Sequence, residues 1–341
     1  MVSTRSINTG RSMTLLTKTQ PNKLIYKVTE NMTRMSKKIS TKEEALAFIE
    51  QYDHFLFDCD GVIWLDTVAI PGVVKFIEWL QERGKTMAFV TNNSSKSRNS
   101  YVKKFKELGF KDIVKSAIYP TCYSAALVLK EQLNVKQGSK VWVLGDIGIE
   151  EELKETGYIP VGGTDKNLDG GWDPNSPYLE VDPSVRAVVV GSTKELNYMR
   201  TAVAVQYLLA ENKSLPFIGA NIDRTYPGPR GMILPAGGSL VNLMSYTCQR
   251  DFINVGKPST LLLDTILEDQ NFDRKKTLMV GDTLYTDIKF GNDGKLGGHN
   301  GGSLLVLSGG SKLEDLDNIE DDSTRPKYYI ESLGHLLELL E

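Results

Sequence analysis

The chain has 341 residues, of which 40% are apolar and 24% are charged, and its formal net charge at pH 7 is -3. This composition is ordinary for a globular protein, and roughly 100 to 200 residues per domain suggests two domains. No apolar run approaches the roughly 20 residues of a membrane span, and an acidic body argues against a nucleic-acid surface. We therefore expect no membrane partner and no nucleic-acid partner.

Residues 1–40 form a Ser/Thr-rich extension that carries eight basic residues and one acidic residue. We expect this extension to be disordered, although its composition is also typical of a mitochondrial transit peptide. Cys59, Cys122 and Cys248 are too few and too scattered for a disulfide framework or a zinc site. A reducing compartment fits this pattern, so we expect a cytoplasmic protein, with mitochondrial targeting as the alternative.

From Thr41 onward, helical patterns alternate with short apolar strands. The predicted strands are "HFLFD" and "TMAFVTNN", and the predicted helices are "TKEEALAFIEQY", "IPGVVKFIEWLQERG" and "SRNSYVKKFKELG". This alternation predicts right-handed crossovers and a parallel sheet, in which ligands bind beyond the carboxyl ends of the strands. Asp58 and Thr91 both fall at such ends.

A second α/β unit begins with "KVWVLGD" and continues through "AVVVGST" and "PFIGAN". The first layout is expected to resume with "FINVGKPS", followed by "TLLLDTILEDQ", "TLMVGD" and "SLLVLSGG". We therefore predict one domain from residues 41–129 and 245–341, and an inserted domain from residues 130–244. A Gly/Pro/Asp-rich loop over residues 162–183 lies within the insertion.

Polar side chains gather at the predicted strand ends and helix starts. They are Asp58 and Asp60 in "DCDGV", Thr91, Asn92 and Asn93 in "TNNS", Lys257 in "GKPS", and Asp282 and Asp287 in "GDTLYTD". Carboxylate oxygens suit Mg²⁺, while a hydroxyl and free backbone N–H groups at a helix start suit a phosphate. A lysine and a metal ion together would offset the repulsion between carboxylates and phosphate.

In this order the four motifs resemble the haloacid dehalogenase superfamily. More narrowly, the chain is similar to the p-nitrophenylphosphatase, phosphoglycolate phosphatase and pyridoxal phosphatase group, from about Tyr52 to the C-terminus. The resemblance implies an α/β fold: a Rossmann-like parallel-sheet hydrolase core with an inserted α/β cap domain that determines substrate specificity.

The resemblance also implies a role for each motif residue. Asp58 would be the nucleophile and Asp60 the general acid and base, while Asp58, the backbone carbonyl of Asp60, and Asp282 would bind Mg²⁺. Thr91, the backbone around Asn92, and Lys257 would hold the phosphoryl oxygens. Asp287 would support Lys257 and metal-bound water, and Asn93 would make a loop hydrogen bond.

Specificity is expected to depend on the insertion. Tyr226, in "NIDRTYPGPRGMILPAGGS", stands where the family directs a specificity side chain into the site. The alternative is that Tyr226 packs within the cap, as partly buried aromatic residues often do. Two segments depart from the family: Ser192 and Thr193 replace an aromatic or acidic pair, and "GGTDKNLDGGWDPNSPYLEVDP" matches no family counterpart that we recognise.

The expected function is Mg²⁺-dependent hydrolysis of small phosphate monoesters, such as phosphoglycolate and p-nitrophenyl phosphate, through an aspartyl phosphate. In the family that the chain resembles, an acid at position 60 implies hydrolysis, and the resemblance also implies a role in metabolite repair. A phosphotransferase or phosphomutase of the same fold, a pyridoxal phosphate phosphatase, and a catalytically inactive binding protein stay open as alternatives. The resemblance further implies a homodimer formed through the cap.

Overall fold

The computed structural model describes residues 36–227, 230 and 232–341. The expectations for residues 1–35, disorder or mitochondrial targeting, lie outside this described part. For residues 36–40 the expectation of a disordered extension is wrong. Strand Lys37–Lys38 pairs with Tyr328 and Tyr329, and Ile39 is buried in the core.

A seven-stranded parallel sheet forms the first unit. Its strand order is β1-β16-β15-β14-β2-β5-β6. The strands are β1 Lys37–Lys38, β2 His54–Phe57, β5 Thr86–Thr91, β6 Ile118–Pro120, β14 Thr277–Gly281, β15 Ser303–Val306 and β16 Tyr328–Ile330. Strand β2 lies between β14 and β5, and Phe57 pairs with Val280 and Phe89. The carboxyl ends of these three neighbouring strands therefore lie at the same edge of the sheet.

A five-stranded parallel sheet forms the second unit, in the order β13-β10-β9-β7-β8. Its strands are β7 Lys140–Leu144, β8 Ile159–Gly162, β9 Val185–Val190, β10 Phe217–Gly219 and β13 Ile253–Asn254. Two short antiparallel hairpins accompany the sheets: β3 Trp64–Leu65 with β4 Val68–Ala69, and β11 Thr225–Pro227 with β12 Ile233–Pro235.

The α-helices connect the strands and cover both sheets. They span Lys42–Ile49, Val73–Glu82, Arg98–Glu107, Thr121–Leu127, Ile147–Glu155, Tyr198–Lys213, Gly237–Cys248, Thr260–Gln270, Lys289–Asp293 and Leu333–Leu340. Within the described residues, no helix combines the length and apolar character needed to cross a bilayer.

The central strands are apolar along their whole length because helices cover both faces of the sheet. Phe55 and Phe57 point to one face, where they stack at 6.0 Å, and Leu56 points to the other. The helix Thr260–Gln270 covers the second face with Leu263 and Ile266. The rigid core thus positions whatever follows Phe57.

From the sequence we expected the first unit to resume at the strand Ile253–Asn254. The structure places this strand in the second unit instead. Ile253 pairs with Ile218 and Asn254 with Gly219 in the second sheet. The helix Gly237–Cys248 packs with that sheet as well, since Val241, Met244 and Cys248 belong to its core. The expected limit at residue 244 therefore falls inside a helix, and the second sheet extends past it to Asn254.

Candidate active site

Asp58 directly follows β2 and lies at the bottom of a buried cluster of charged groups. The residue is 7% exposed, and its backbone N–H donates to the carbonyl of Val280, 2.9 Å away. The loop that follows must pass close to Asp282. A Cβ on Gly61 would lie 2.1 Å from Asp282 Oδ2, and Gly61 has a φ of 89°, so only glycine fits this turn.

Lys257 lies between two carboxylates in the same cluster. The side chain is 2% exposed; Nζ contacts the Asp58 carboxylate and lies 2.7 Å from Asp287 Oδ1. Nζ also donates to the carbonyl of Val90 at 2.8 Å. Burial alone would lower the pKa of Lys257, but the charges of Asp287 and Asp58 outweigh it and raise that pKa above its ordinary value. The lysine is therefore a fixed cation.

Asp58, Asp282 and Asp287 each place a carboxylate oxygen within 4.8 Å of the others. Burial raises the pKa of Asp58 well above its usual range, the charges of Asp287 and Asp282 add to this, and Lys257 opposes it. Burial, with the charge of Asp287, raises the pKa of Asp282 to about 7. Three buried carboxylates facing one ammonium group leave excess negative charge, and a hard divalent cation fits that donor set.

Asp282 and Asp287 are held by backbone donors. Asp287 Oδ2 accepts from the N–H groups of Asp282 at 3.1 Å and Thr283 at 3.0 Å. Asp282 Oδ2 accepts from the N–H of Gly310 at 2.6 Å. A Cβ on Gly281 would lie 2.0 Å from Asp287 Cβ, so the chain needs glycine there to bring the second carboxylate back to the strand end.

Asn92 is a hydrogen-bond hub between the two units. Its Oδ1 accepts from the backbone N–H of Lys257 at 2.8 Å, and its Nδ2 donates to the Lys257 carbonyl and to Asp223 Oδ1, both at 3.2 Å. Its backbone carbonyl accepts from Asn221 Nδ2 at 2.8 Å and from Thr121 Oγ1 at 3.0 Å. Burial raises the pKa of Asp223. Neither Asn221 nor Asp223 was predicted from the sequence to belong to the site.

Thr91 and Asn93 occupy different positions within their shared loop. Thr91 ends β5, is 2% exposed, and its Oγ1 accepts from the N–H of Asn93 at 3.2 Å. Asn93 Oδ1 accepts from the backbone N–H of Ser95 at 2.8 Å and from its hydroxyl at 2.7 Å. Asn93 therefore stabilises the loop before the helix Arg98–Glu107.

Asp60 stands apart from the three clustered carboxylates. It is exposed, and its Oδ1 accepts a hydrogen bond from the indole Nε1 of Trp64 at 2.8 Å. Trp64 is fully buried and lies between Tyr101 and Phe105. Lys104 Nζ lies 3.9 Å from the centre of the indole ring. The contact was not predicted from the sequence, and the four-residue spacing between Asp60 and Trp64 is the signal that could have indicated it.

Tyr226 lies on the β11–β12 hairpin, opposite Leu234, and is 39% exposed. The base of the hairpin is tied down by hydrogen bonds from Ala236 N–H to the Arg224 carbonyl and from Gly238 N–H to the Asp223 carbonyl. Asp223 in turn contacts Asn92, so the hairpin projects from the margin of the charged cluster. Tyr226 is not fully packed within the second unit.

Two family models match the chain. One describes a haloacid dehalogenase-like hydrolase and matches residues 55–159, and the other is HAD-hydrolase-like and matches residues 254–336. The 4-nitrophenylphosphatase of Schizosaccharomyces pombe is 40% identical, over 89% of this chain and 99% of that protein. The chain belongs to the haloacid dehalogenase-like hydrolases. The resemblance inferred from the four motifs is thereby confirmed.

Further members of this hydrolase family are similar over most of the chain. The glycerol-3-phosphate phosphatase of Mus musculus is 33% identical, with 88% of this chain and 94% of that protein covered. Phosphoglycolate phosphatase 2 of Arabidopsis thaliana is 35% identical, with 90% and 99% covered. Each alignment spans both sheets of the present structure.

Solved structures of this family share the fold. The p-nitrophenyl phosphatase from Archaeoglobus fulgidus superposes with a TM-score of 0.69 at 27% identity, covering 84% of this chain and 98% of that one. The glycerol phosphate phosphatase of Mycobacterium tuberculosis in complex with magnesium gives 0.68 at 27% identity, covering 85% and 77%. The predicted fold class, a parallel-sheet α/β hydrolase, is confirmed.

Proposed function

We propose that this protein is a Mg²⁺-dependent phosphatase that hydrolyses small phosphate monoesters through an aspartyl phosphate. The observation that carries the proposal is the buried Asp58 carboxylate at the end of β2, paired with Lys257 beside Asp282 and Asp287. Relatives named 4-nitrophenylphosphatase, phosphoglycolate phosphatase and glycerol-3-phosphate phosphatase support the same reaction class.

In the first step an Asp58 carboxylate oxygen attacks phosphorus, and the bond from phosphorus to the ester oxygen breaks. Asp60 donates a proton to the leaving oxygen, which departs as the alcohol. In the second step Asp60 takes a proton from water, whose oxygen attacks the phosphorus of the aspartyl phosphate. The bond between phosphorus and Asp58 breaks, and inorganic phosphate and the free carboxylate are released.

Lys257, Thr91 and Asn92 are the proposed phosphate-binding residues. The fixed ammonium group of Lys257 offsets negative charge on the phosphoryl oxygens. The Thr91 hydroxyl and the backbone N–H groups after it would donate to those oxygens. Asn92 orients the backbone of Lys257 through its side-chain amide, and Asp287 holds the lysine side chain in place.

The proposed metal ligands are Asp58, the backbone carbonyl of Asp60, and Asp282. The excess negative charge of the buried carboxylates supports a cation at this position. When bound, Mg²⁺ would offset the charge between the attacking carboxylate and the phosphoryl group. Asp287 belongs to the same carboxylate cluster, but its Oδ2 is engaged by two backbone N–H groups, so we assign it a supporting role.

The direct test measures phosphate release from phosphoglycolate, glycerol 3-phosphate, pyridoxal phosphate and p-nitrophenyl phosphate in Mg²⁺, with wild type and Asp58→Asn. The nearly isosteric amide cannot act as the nucleophile, so we expect turnover to fall by at least about a thousandfold. Circular dichroism should show an unchanged fold. Full activity in the variant would overturn the covalent mechanism, and transfer to added alcohol in preference to water would favour a phosphotransferase.

Removing divalent cations should abolish turnover. Treatment with EDTA followed by desalting leaves the three carboxylates without their counter-ion, and we expect Mg²⁺ to restore activity while Na⁺ at equal ionic strength does not. The measurement is the initial rate against added Mg²⁺. Activity that survives chelation would contradict the metal assignment.

Trp64→Phe tests whether the indole N–H positions Asp60. An alkoxide needs a proton on departure and p-nitrophenolate needs little help, so misplacing the acid should slow glycerol 3-phosphate hydrolysis about tenfold more than p-nitrophenyl phosphate hydrolysis. The ratio of the two kcat values is insensitive to partial unfolding. Trp79→Phe, the same substitution away from the site, is the matched control, and an equal loss on both substrates would contradict the assignment.

We infer that the second unit acts as the cap and that Tyr226 helps to select the substrate. The exposure of Tyr226 on a hairpin whose base contacts Asn92 supports this role. Tyr226→His should change the ratio of kcat/KM values among the four esters severalfold and leave p-nitrophenyl phosphate hydrolysis nearly unchanged. Constant ratios would mean that Tyr226 serves only the packing of the hairpin.

A homodimer through the cap, a cytoplasmic location and a role in metabolite repair belong to this proposal as well. Exposed apolar side chains on the second unit, Ile233 at 77% and Tyr246 at 86%, support an association surface. Sedimentation velocity across a range of concentrations would contradict the dimer if only monomer appeared.

Three buried free cysteines agree with a reducing compartment, which fractionation of the native cells would test.

A further inference from the structure

Three strands of the second sheet end against one loop of the first unit. We call this loop, residues 91–97, the phosphate loop, because it includes the proposed phosphate-binding residues Thr91 and Asn92. It leads from the end of β5 to the helix Arg98–Glu107. The three strands are neighbours in the order β10-β9-β7. The carboxyl edge of a parallel sheet is usually where a ligand binds, but here the phosphate loop lies against it.

The segment that follows each of these strands donates one hydrogen bond to the phosphate loop. The bonds run from Asn221 Nδ2 to the Asn92 carbonyl at 2.8 Å, from the Ser192 N–H to Ser94 Oγ at 2.9 Å, and from the Gly148 N–H to the Ser95 carbonyl at 3.2 Å. Gly148 allows the close approach, because a Cβ there would lie 2.6 Å from the backbone nitrogen of Lys96. The second unit therefore holds the phosphate loop at three successive places.

Glu152 makes a fourth contact, at the end of the phosphate loop. It is fully buried on the helix Ile147–Glu155; its Oε1 accepts from the Arg98 backbone N–H at 2.6 Å and its Oε2 from Arg98 Nε at 2.9 Å. Ser97 is the N-cap residue of the helix that Arg98 begins, but its side chain makes no capping bond and donates to Glu151 instead. A carboxylate of the second unit therefore caps the first helical N–H after the loop.

Glu152 takes no part in the proposed chemistry, although its burial is costly. Burial raises the pKa of Glu152, and the hydrogen bonds and charge of Arg98 oppose that rise. Both carboxylate oxygens accept hydrogen bonds from Arg98, which an amide could not reproduce because one of its two polar atoms is a donor. Arg98 also lies 3.3 Å from a second carboxylate, that of Glu155, so its charge would stay paired if Glu152 were made neutral.

We propose that Glu152 is a positioning residue for phosphate binding. By holding Arg98 it fixes the end of the phosphate loop, while Gly148 and Ser192 fix its middle. The Thr91 hydroxyl and the backbone N–H groups after it are thereby kept in place for the phosphoryl oxygens. This inference rests on the proposed function, which assigns the loop to phosphate. It gives the second unit a part in phosphate binding in addition to substrate selection.

Glu152→Gln tests the proposal through the inhibition constant Ki of inorganic phosphate, measured against p-nitrophenyl phosphate hydrolysis in Mg²⁺. We expect the Ki to rise about tenfold, because the displaced loop binds phosphoryl oxygens less well. Glu155→Gln is the matched control: it makes the same substitution on the same helix, at a carboxylate that also contacts Arg98, and should leave the Ki within about twofold. The Ki does not depend on the amount of folded enzyme. A lower melting temperature with an unchanged Ki in Glu152→Gln would show a purely structural role and overturn the proposal.

Gly148→Ala displaces the same loop without altering the ion pair. Alanine favours a helix more than glycine does, so a local effect would only stabilise the helix Ile147–Glu155. Since the added Cβ meets the backbone of Lys96, we expect the phosphate Ki to rise at least about fivefold. An unchanged Ki in this variant would contradict the positioning of the loop by the second unit.

The rise in melting temperature on adding inorganic phosphate with Mg²⁺ gives a readout that requires no turnover. A rise in wild type that Glu152→Gln reduces and Glu155→Gln does not would support the positioning role. If wild type showed this rise but hydrolysed no ester, only the proposed reaction would be contradicted. No rise and no inhibition by phosphate in wild type would overturn the phosphate site and the positioning role together.

Discussion

The buried ammonium group of Lys257 is the interaction on which the rest of the site depends. A cation that is 2% exposed must be paired, and here Asp58 and Asp287 surround it. Taking away the lysine would leave the buried carboxylates facing one another, and taking away one carboxylate would leave a cation short of a partner. Each charged group of the cluster therefore depends on the others. The absence of a Cβ at Gly61 and Gly281 leaves space for Asp282 and Asp287.

Strand direction accounts for most of the placement of the clustered carboxylates Asp58, Asp282 and Asp287. Asp58 and Asp282 follow apolar strands, and neighbouring parallel strands bring their carboxyl ends to one edge. Lys257 was predicted through its motif, and the structure brings it to Asp58 from 199 residues away. Local pattern and chain topology were sufficient here, since each residue stands at the end or start of a regular element.

The structural features that could not be predicted from the sequence depend on contacts between distant segments of the chain. The segment Ile253–Asn254 was predicted as a strand, but a strand of two residues does not reveal which sheet it joins. Asn92 bonds to Asn221 across 129 residues and to Lys257 across 165.

Asn92 makes hydrogen bonds to the loop that carries Lys257 and to the second unit. Its side-chain Oδ1 accepts from the backbone N–H of Lys257. Its backbone carbonyl accepts from Asn221, and its Nδ2 donates to Asp223, both in the second unit. The same residue therefore contacts the backbone of Lys257 and the second unit at once. In the proposed cap role, covering the substrate and positioning the ammonium group of Lys257 would therefore both depend on Asn92.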